Sequence, residues 1–126
     1  MTLVARREFL ASALALASGG LSVNRFGMYG KLTAHPGQRD ALVLHMLTAA
    51  ELVSDAPGCD VYIVNTSPSD PDTIWITEAW RSKADHEASL SIPGVRELIA
   101  KARPLIAAIS EPILTVPVGG KGLTLE

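Results

Sequence analysis

The sequence has little of what marks several common protein classes. Cysteine occurs once in the 126 residues, at Cys59. A single thiol can form neither an internal disulfide nor a structural zinc site. No apolar run reaches the roughly 20 residues that a membrane-spanning helix needs, and no cluster of lysine and arginine is present to contact phosphates. We therefore expect no nucleic-acid partner and no stable insertion into a membrane.

Motifs of two frequent kinds of enzyme are also missing. No G-x-S-x-G sequence provides the serine turn of a hydrolase. The glycine cluster at 118–122 follows the last expected strand, where it cannot open a phosphate-binding helix. The chain does have the length of one domain and a hydrophobic content of 48%. That content is high for a small domain and predicts apolar surface for contact with a second chain.

The N-terminal segment resembles a twin-arginine export signal. Residues 5–11 read A-R-R-E-F-L-A, against the signature S/T-R-R-x-F-L-K. A short apolar segment, 9–17, ends in an A-L-A cleavage sequence. We expect 1–24 to be a signal and linker that send the protein to the periplasm or outside the cell. Two alternatives stay open: a helix of residues 3–17 docked on the domain, and a true start at Met28.

Periodicity in the rest of the chain predicts strands alternating with helices. Apolar alternation predicts strands at 25–34, 59–67, 73–82 and 111–118. A long helix from near Pro36 to 56 is predicted by an apolar stripe at helical spacing, formed by Leu42, Met46, Ala49 and Val53. Further helices are expected at 83–91 and 93–109, the second kinked or split at Pro104.

The resulting order, β-α-β-β-α-β, is the ferredoxin-like split βαβ arrangement of an α+β fold. Such a fold places its helices on one face of an antiparallel sheet. The other face carries apolar or mixed residues and needs a cover, most simply a second copy of the chain. We expect the domain to span 25–118, followed by a C-terminal tail at 119–126.

Motifs in one order and spacing point to a family. They are H-P-G at 35–37, A-P-G-C-D-V-Y at 56–62, D-P-D-T-I-W-I-T-E-A-W at 70–80 and S-K-A-D-H-E-A-S-L at 82–90. Over 25–118 the chain resembles the antibiotic biosynthesis monooxygenase (ABM) domain. The resemblance implies a homodimeric α/β barrel. It also implies oxygenation of a small phenolic, quinol or polyketide-like aromatic by O₂, without metal, flavin or haem.

Histidine is the main candidate for proton transfer. His86 lies on the helix after the third strand, and imidazole is suited to acid–base work near neutral pH. Many ABM members carry histidine where this chain has Ser89, whereas His86 matches another branch. Haem-degrading relatives use an asparagine on the first strand and a histidine on this helix. Gly30 and Ser89 occupy those positions, so the resemblance does not imply haem binding.

The other candidates come from strands and the long helix. Tyr62 and Asn65 are proposed with His86 as catalytic residues, as donors to a developing oxyanion. They lie on opposite faces of one strand, so only one can face the cavity. Expected substrate-binding residues are Trp80, Ser89, His45 and Tyr29.

Each candidate also has a plain structural interpretation. Trp80 and His45 could pack in the core, and His86 could lie on the surface of a short polar helix. The alternative function is accordingly a ligand-binding or structural dimer without catalysis, because this kind of fold serves many roles.

Overall fold

A computed structural model describes residues 25–123. The elements, in chain order, are β1 (Phe26–Ala34), α1 (Arg39–Val53), β2 (Cys59–Thr66), β3 (Thr73–Trp80), α2 (Lys83–Ser89), α3 (Val95–Ala102), a 3₁₀ turn (Arg103–Leu105), β4 (Ile106–Ile109) and β5 (Ile113–Thr115). The predicted α+β, ferredoxin-like fold is confirmed. The twin-arginine signal predicted within 1–24 lies outside the described residues.

The sheet is built around β1 and β3. Its strand order is β2-β3-β1-β4, and β5 pairs with the other half of the same edge of β1. All pairings are antiparallel, and β1 lies against β3 from Phe26↔Trp80 to Thr33↔Thr73. Across residues 25–123 the sheet does not close on itself, because β2 and β4 stand at opposite ends of this order. One chain therefore forms an open sheet.

The helix predicted at 93–109 was too long. Helix α3 ends at Ala102, and residues 106–109 form β4, which pairs with the end of β1. Pro104 lies in the 3₁₀ turn between them, where its ring and its missing N–H prevent the helix from continuing. The apolar residues after Pro104 form their backbone hydrogen bonds with β1 in the sheet instead.

The strand predicted at 111–118 was too long as well. Only Ile113–Thr115 is paired. Pro112 and Pro117 flank this segment, and proline cannot donate to a strand ladder. The order of elements is therefore the predicted one with an added short strand after α3.

The core lies between one face of the sheet and the helices. Its buried residues are Ala34, Leu42, Ile74, Ile76 and Ala102. Leu42 belongs to the predicted apolar stripe of α1, and its side chain has no exposed area. Val53 at the end of the stripe is also buried. The alternation of β3 supplies Ile74 and Ile76 from the same face, and the predicted apolar stripe of α1 is confirmed.

The opposite face of the sheet carries large apolar residues that are exposed to solvent. The strand register places Tyr29, Ile63 and Ile113 in one row across this face, with Thr77 between Tyr29 and Ile63. They are 45%, 52% and 55% exposed. Lys31 lies on the same face, with its ammonium 5.7 Å from the ring centre of Trp75. In residues 25–123 no helix is long and apolar enough to cross a bilayer.

Candidate active site

A cavity of about 610 Å³ lies between the helix-facing side of the sheet and the helices. Its walls come from most elements of the fold, and the apolar ones include Leu32, Met46, Ala49, Val53, Val95, Leu98, Ile99, Ala102, Ile106 and Ile109. Polar side chains enter at Tyr62, Glu78, His86, Ser89 and Arg103. An apolar cavity of this size with a few polar groups is typical of small-molecule sites.

The pairing of β2 with β3 brings three of the polar and aromatic side chains together. Tyr62 lies directly opposite Glu78 in this pairing, so both point toward the helices. Trp80 lies two residues after Glu78 and therefore faces the same way. The three side chains form one patch at the end of β3.

Helix α2 adds His86 to this patch because only two residues, Arg81 and Ser82, separate its start from the end of β3. Ser82 caps its first turn, with its side chain accepting a hydrogen bond from the Asp85 N–H at 3.0 Å. The Arg81 N–H donates to the Gly58 carbonyl at 2.8 Å, which anchors the connection on the turn before β2. Gly58 has φ +82, and a Cβ there would collide with the Asp85 side chain. The turn therefore requires glycine, and α2 has a fixed start.

Glu78 is the centre of the resulting cluster. The Trp80 indole Nε1–H donates to Glu78 Oε1 at 2.9 Å. His86 Nε2 lies 3.6 Å from that same oxygen. The His86 ring also contacts two aromatic rings, with its centre 5.1 Å from Phe26 and 5.6 Å from Trp80, edge to face. Aromatic packing and the carboxylate together define where the imidazole can sit.

Burial shifts the proton equilibria of this cluster. It raises the pKa of Glu78, which is 9% exposed, although the Trp80 N–H and the charge of His86 oppose the rise. Burial, with the nearby Glu78 charge, also raises the pKa of the Tyr62 phenol far above its usual range. The phenol therefore stays protonated at neutral pH and can act as a hydrogen-bond donor.

Cys59 lies at the start of β2, close to this cluster. Burial, Glu78 and Asp60 raise the pKa of its thiol. A protonated thiol is a poor nucleophile, so the arrangement favours Cys59 as a packing residue.

Four of the seven predicted site residues line the cavity: Tyr62, Trp80, His86 and Ser89. Ser89 is buried, and its hydroxyl donates to the carbonyl oxygen of His86. That bond fastens the last turn of α2 next to His86. The catalytic and binding roles of these residues stay predictions.

The other three predicted residues lie outside the cavity wall. Asn65 points to the opposite face of the sheet, where its amide donates at 3.0 Å to the Trp75 carbonyl and to Thr77 Oγ1. Tyr29 lies on that open face as well. His45 precedes the cavity residue Met46 on α1 but does not itself line the cavity. Of Tyr62 and Asn65, the strand alternation thus places Tyr62 in the cavity.

Glu78 was not predicted as a site residue. The available signal was its position in T-I-W-I-T-E-A-W, where a carboxylate shares one strand face with Ile74, Ile76 and Trp80. A charged residue on a face that is otherwise buried costs free energy unless it has partners. Within residues 25–123 no group of three or more His, Cys, Asp or Glu side chains is arranged to hold a metal ion.

With this geometry established, comparison with known proteins identifies the family. Residues 25–101 match the model of the family described as antibiotic biosynthesis monooxygenase, and the chain belongs to this family. No curated protein matches the sequence.

Solved structures agree with this assignment. A Chloroflexus aurantiacus J-10-fl protein assigned to the antibiotic biosynthesis monooxygenases is 52% identical, over 79% of this chain and 99% of that one, with a TM-score of 0.73. SnoaB, a cofactor-independent oxygenase from Streptomyces nogalater, shares the fold at 14% identity, with a TM-score of 0.67 over 78% of this chain and 97% of its own. A Nitrosomonas europaea protein with the same family name has 13% identity and a TM-score of 0.67, over 80% and 95% of the two chains.

Replacement of Glu78 by glutamine is expected to stabilise the protein, increasingly so as the pH rises. A carboxyl whose pKa is raised by folding stabilises the fold only while it is protonated, and that contribution is lost as the pH rises through the folded-state pKa. Glutamine keeps an acceptor for the Trp80 N–H but carries no charge to bury. Urea unfolding of Glu78→Gln and wild type between pH 4 and 8 measures the difference.

The matched control is Glu87→Gln. Glu87 is exposed on α2, with a carboxylate oxygen 3.9 Å from the Lys83 ammonium, so its effect on stability should stay small and nearly independent of pH. A Glu78→Gln protein whose stability relative to wild type does not rise with pH would contradict the assignment of a raised pKa to Glu78.

Proposed function

We propose that the protein is a monooxygenase that uses O₂ on a small aromatic substrate with an acidic hydroxyl, such as a phenol, a quinol or a polyketide-like ring system. The observation that carries this proposal is the cavity itself. Its walls are mainly apolar, and groups able to accept or donate a proton are gathered on one side, at Tyr62, Glu78 and His86. Membership of the antibiotic biosynthesis monooxygenase family supports the same reaction class.

The reaction needs little from the protein beyond a dry, preorganised site. Removal of the hydroxyl proton leaves an electron-rich aromatic anion that can pass electrons to O₂. For a quinol, one oxygen atom enters the ring to give a hydroxyquinone and the other leaves as water, so quinol plus O₂ balances hydroxyquinone plus water. The protein has to take the first proton, exclude water and donate to developing negative charge on oxygen.

The cluster offers a residue for each task. His86 is the proton acceptor in this proposal, held beside Glu78 and the aromatic rings. The Tyr62 phenol, kept protonated by its raised pKa, is the donor to a developing oxyanion. The Trp80 indole N–H is engaged with Glu78, so its ring serves as a wall against which a flat substrate can stack.

Oxygen uptake tests the function. Hydroquinones and anthrones are offered to the protein after treatment with a chelator, and consumption of O₂ is followed with an electrode. We expect turnover by the wild type and a fall in kcat of about 10²-fold or more for His86→Gln, as for loss of a general base. His35→Gln, an exposed histidine before α1, is the control and should retain wild-type activity.

Two results would contradict different parts of the proposal. Absence of turnover across the panel favours the alternative, a ligand-binding or structural protein. Turnover that survives His86→Gln would leave the reaction in place and remove His86 from it.

We further propose that the protein is a homodimer in which two copies cover each other's open sheet faces. The support is the exposed apolar group of Tyr29, Ile63 and Ile113, on a face of the sheet that carries no helix within residues 25–123. Ile63→Asp is expected to yield monomers in light scattering coupled to size exclusion, since a buried, unpaired charge opposes association. Leu44→Asp, at a 67% exposed position on α1, is the control and should leave the dimer intact; a monomeric wild type would overturn this proposal.

The segment 1–24 is proposed to act as a twin-arginine export signal, on the strength of its A-R-R-E-F-L-A sequence and the apolar run after it. Replacement of Arg6 and Arg7 by lysine should retain the protein in the cytoplasm. Fractionation of cells expressing both forms measures this, with Arg96→Lys, at an exposed arginine of α3, as the control for an arginine-to-lysine change outside the motif. A wild type found only in the cytoplasm would contradict the proposal.

A further inference from the structure

Glu78 is an unusual residue for the place it occupies. It is the one buried carboxylate among residues 25–123, on a strand face that otherwise contributes isoleucine and tryptophan to the interior. Arginine and lysine do not approach it within ion-pair distance in that part of the chain; its charge-bearing neighbour is His86. A buried carboxylate destabilises the fold unless it is partnered, so the presence of Glu78 calls for an explanation beyond packing.

We propose that Glu78 is a positioning residue that orients the His86 imidazole and shares with it the proton taken from the substrate hydroxyl. The inference rests on the proposed function and names the residue through which His86 would act.

The geometry supports the orienting part. One oxygen, Oε1, receives the Trp80 indole N–H at 2.9 Å and faces His86 Nε2 at 3.6 Å. Trp80 is completely buried on β3, so the oxygen that it binds is held in place. The aromatic contacts of His86 with Phe26 and Trp80 restrict rotation of the imidazole. A shift of about 0.6 Å would bring Nε2–H into hydrogen-bond distance, and such contacts are often loose before substrate binds.

This orientation assigns the two imidazole nitrogens. With Nε2–H directed at Glu78, the lone pair of the neutral ring is on Nδ1, which becomes the nitrogen that accepts a proton. In the transfer, the substrate O–H bond breaks, its electron pair stays on the substrate oxygen, and an N–H bond forms at Nδ1. The positive charge that this creates is stabilised by the Glu78 carboxylate, which can also take the Nε2 proton.

Among the charged and titratable groups around Glu78, His86 is the one suited to accept the substrate proton. From β2, the Tyr62 phenol and the Cys59 thiol are both kept protonated by burial and by Glu78 itself. Asp60 beside them forms an ion pair with Arg25 at 2.6 Å. Arg103 enters the cavity from the 3₁₀ turn, and the residues that α1 and α3 contribute to the cavity wall are apolar.

A spectroscopic experiment tests the orientation without any turnover. In protein labelled with ¹⁵N at histidine, the nitrogen shifts of His86 report its tautomer; His86→Gln identifies the signal. We expect neutral His86 in the Nε2–H form in wild type and in the control Glu87→Gln, and a weaker preference in Glu78→Gln, whose amide is a poorer acceptor. An Nδ1–H tautomer in the wild type would overturn the inference.

Kinetics test the sharing of the proton. With a substrate from the oxygen-uptake panel, Glu78→Gln should lower kcat by about 10–100-fold, the usual range for a residue that orients a reacting group. KM should change little, because Glu78 acts through His86 and the inference gives it no contact with the substrate. An unchanged kcat in a folded Glu78→Gln protein would overturn the inference.

The two experiments separate the inference from the proposed function. A wild type that consumes no O₂ contradicts the function, whereas an Nε2–H tautomer that depends on Glu78 still supports Glu78 as the residue that orients His86. Turnover in the wild type with the opposite tautomer leaves the function and removes Glu78 from it.

Discussion

The antiparallel pairing of β1 with β3 is the constraint on which the rest of the structure depends. Its register runs without interruption from Phe26↔Trp80 to Thr33↔Thr73. Because side chains alternate along a strand, a slip of one residue would turn every one of them to the other face. In the observed register, Ile74, Ile76, Glu78 and Trp80 all face the helices, and Trp75 and Thr77 face the open side. The cavity, the core and the uncovered apolar face all follow from this one alignment.

The apolar walls of the cavity have two opposed physical effects. Apolar walls favour an apolar ligand and lower the local dielectric, which strengthens charge interactions beside them. The same walls raise the free energy needed to bury a charged carboxylate. For Glu78 this is partly offset by the indole N–H of Trp80 and the imidazole of His86. Proteins commonly place such perturbed groups where protons are moved. A purely structural interior would have been more stable with an apolar residue at this position.

The family comparison and the geometry contribute different kinds of information. The match over residues 25–101 establishes membership of the antibiotic biosynthesis monooxygenase family. The structural likeness to SnoaB at 14% identity concerns the fold. One fold can carry many chemistries, so the choice of reacting residues has to come from this chain's own side chains. His86 reaches the cavity because Ser82 and Gly58 set the start of α2.

The sequence by itself determined the local features of this protein. Period-two and helical spacing predicted the α+β class and the apolar face of α1, and Tyr62, Trp80, His86 and Ser89 were four of the seven residues proposed for the site. The tertiary structure determined the features that depend on contacts between residues far apart in the sequence. Residues 106–109 form a strand because they pair with β1 beyond Pro104. The packing of the helices also determines that the face with Tyr62, and not the face with Asn65, lines the cavity. It also brought Glu78 within 3.6 Å of His86. Periodicity reports which way a side chain points, whereas the distance between two elements is set only when the chain packs.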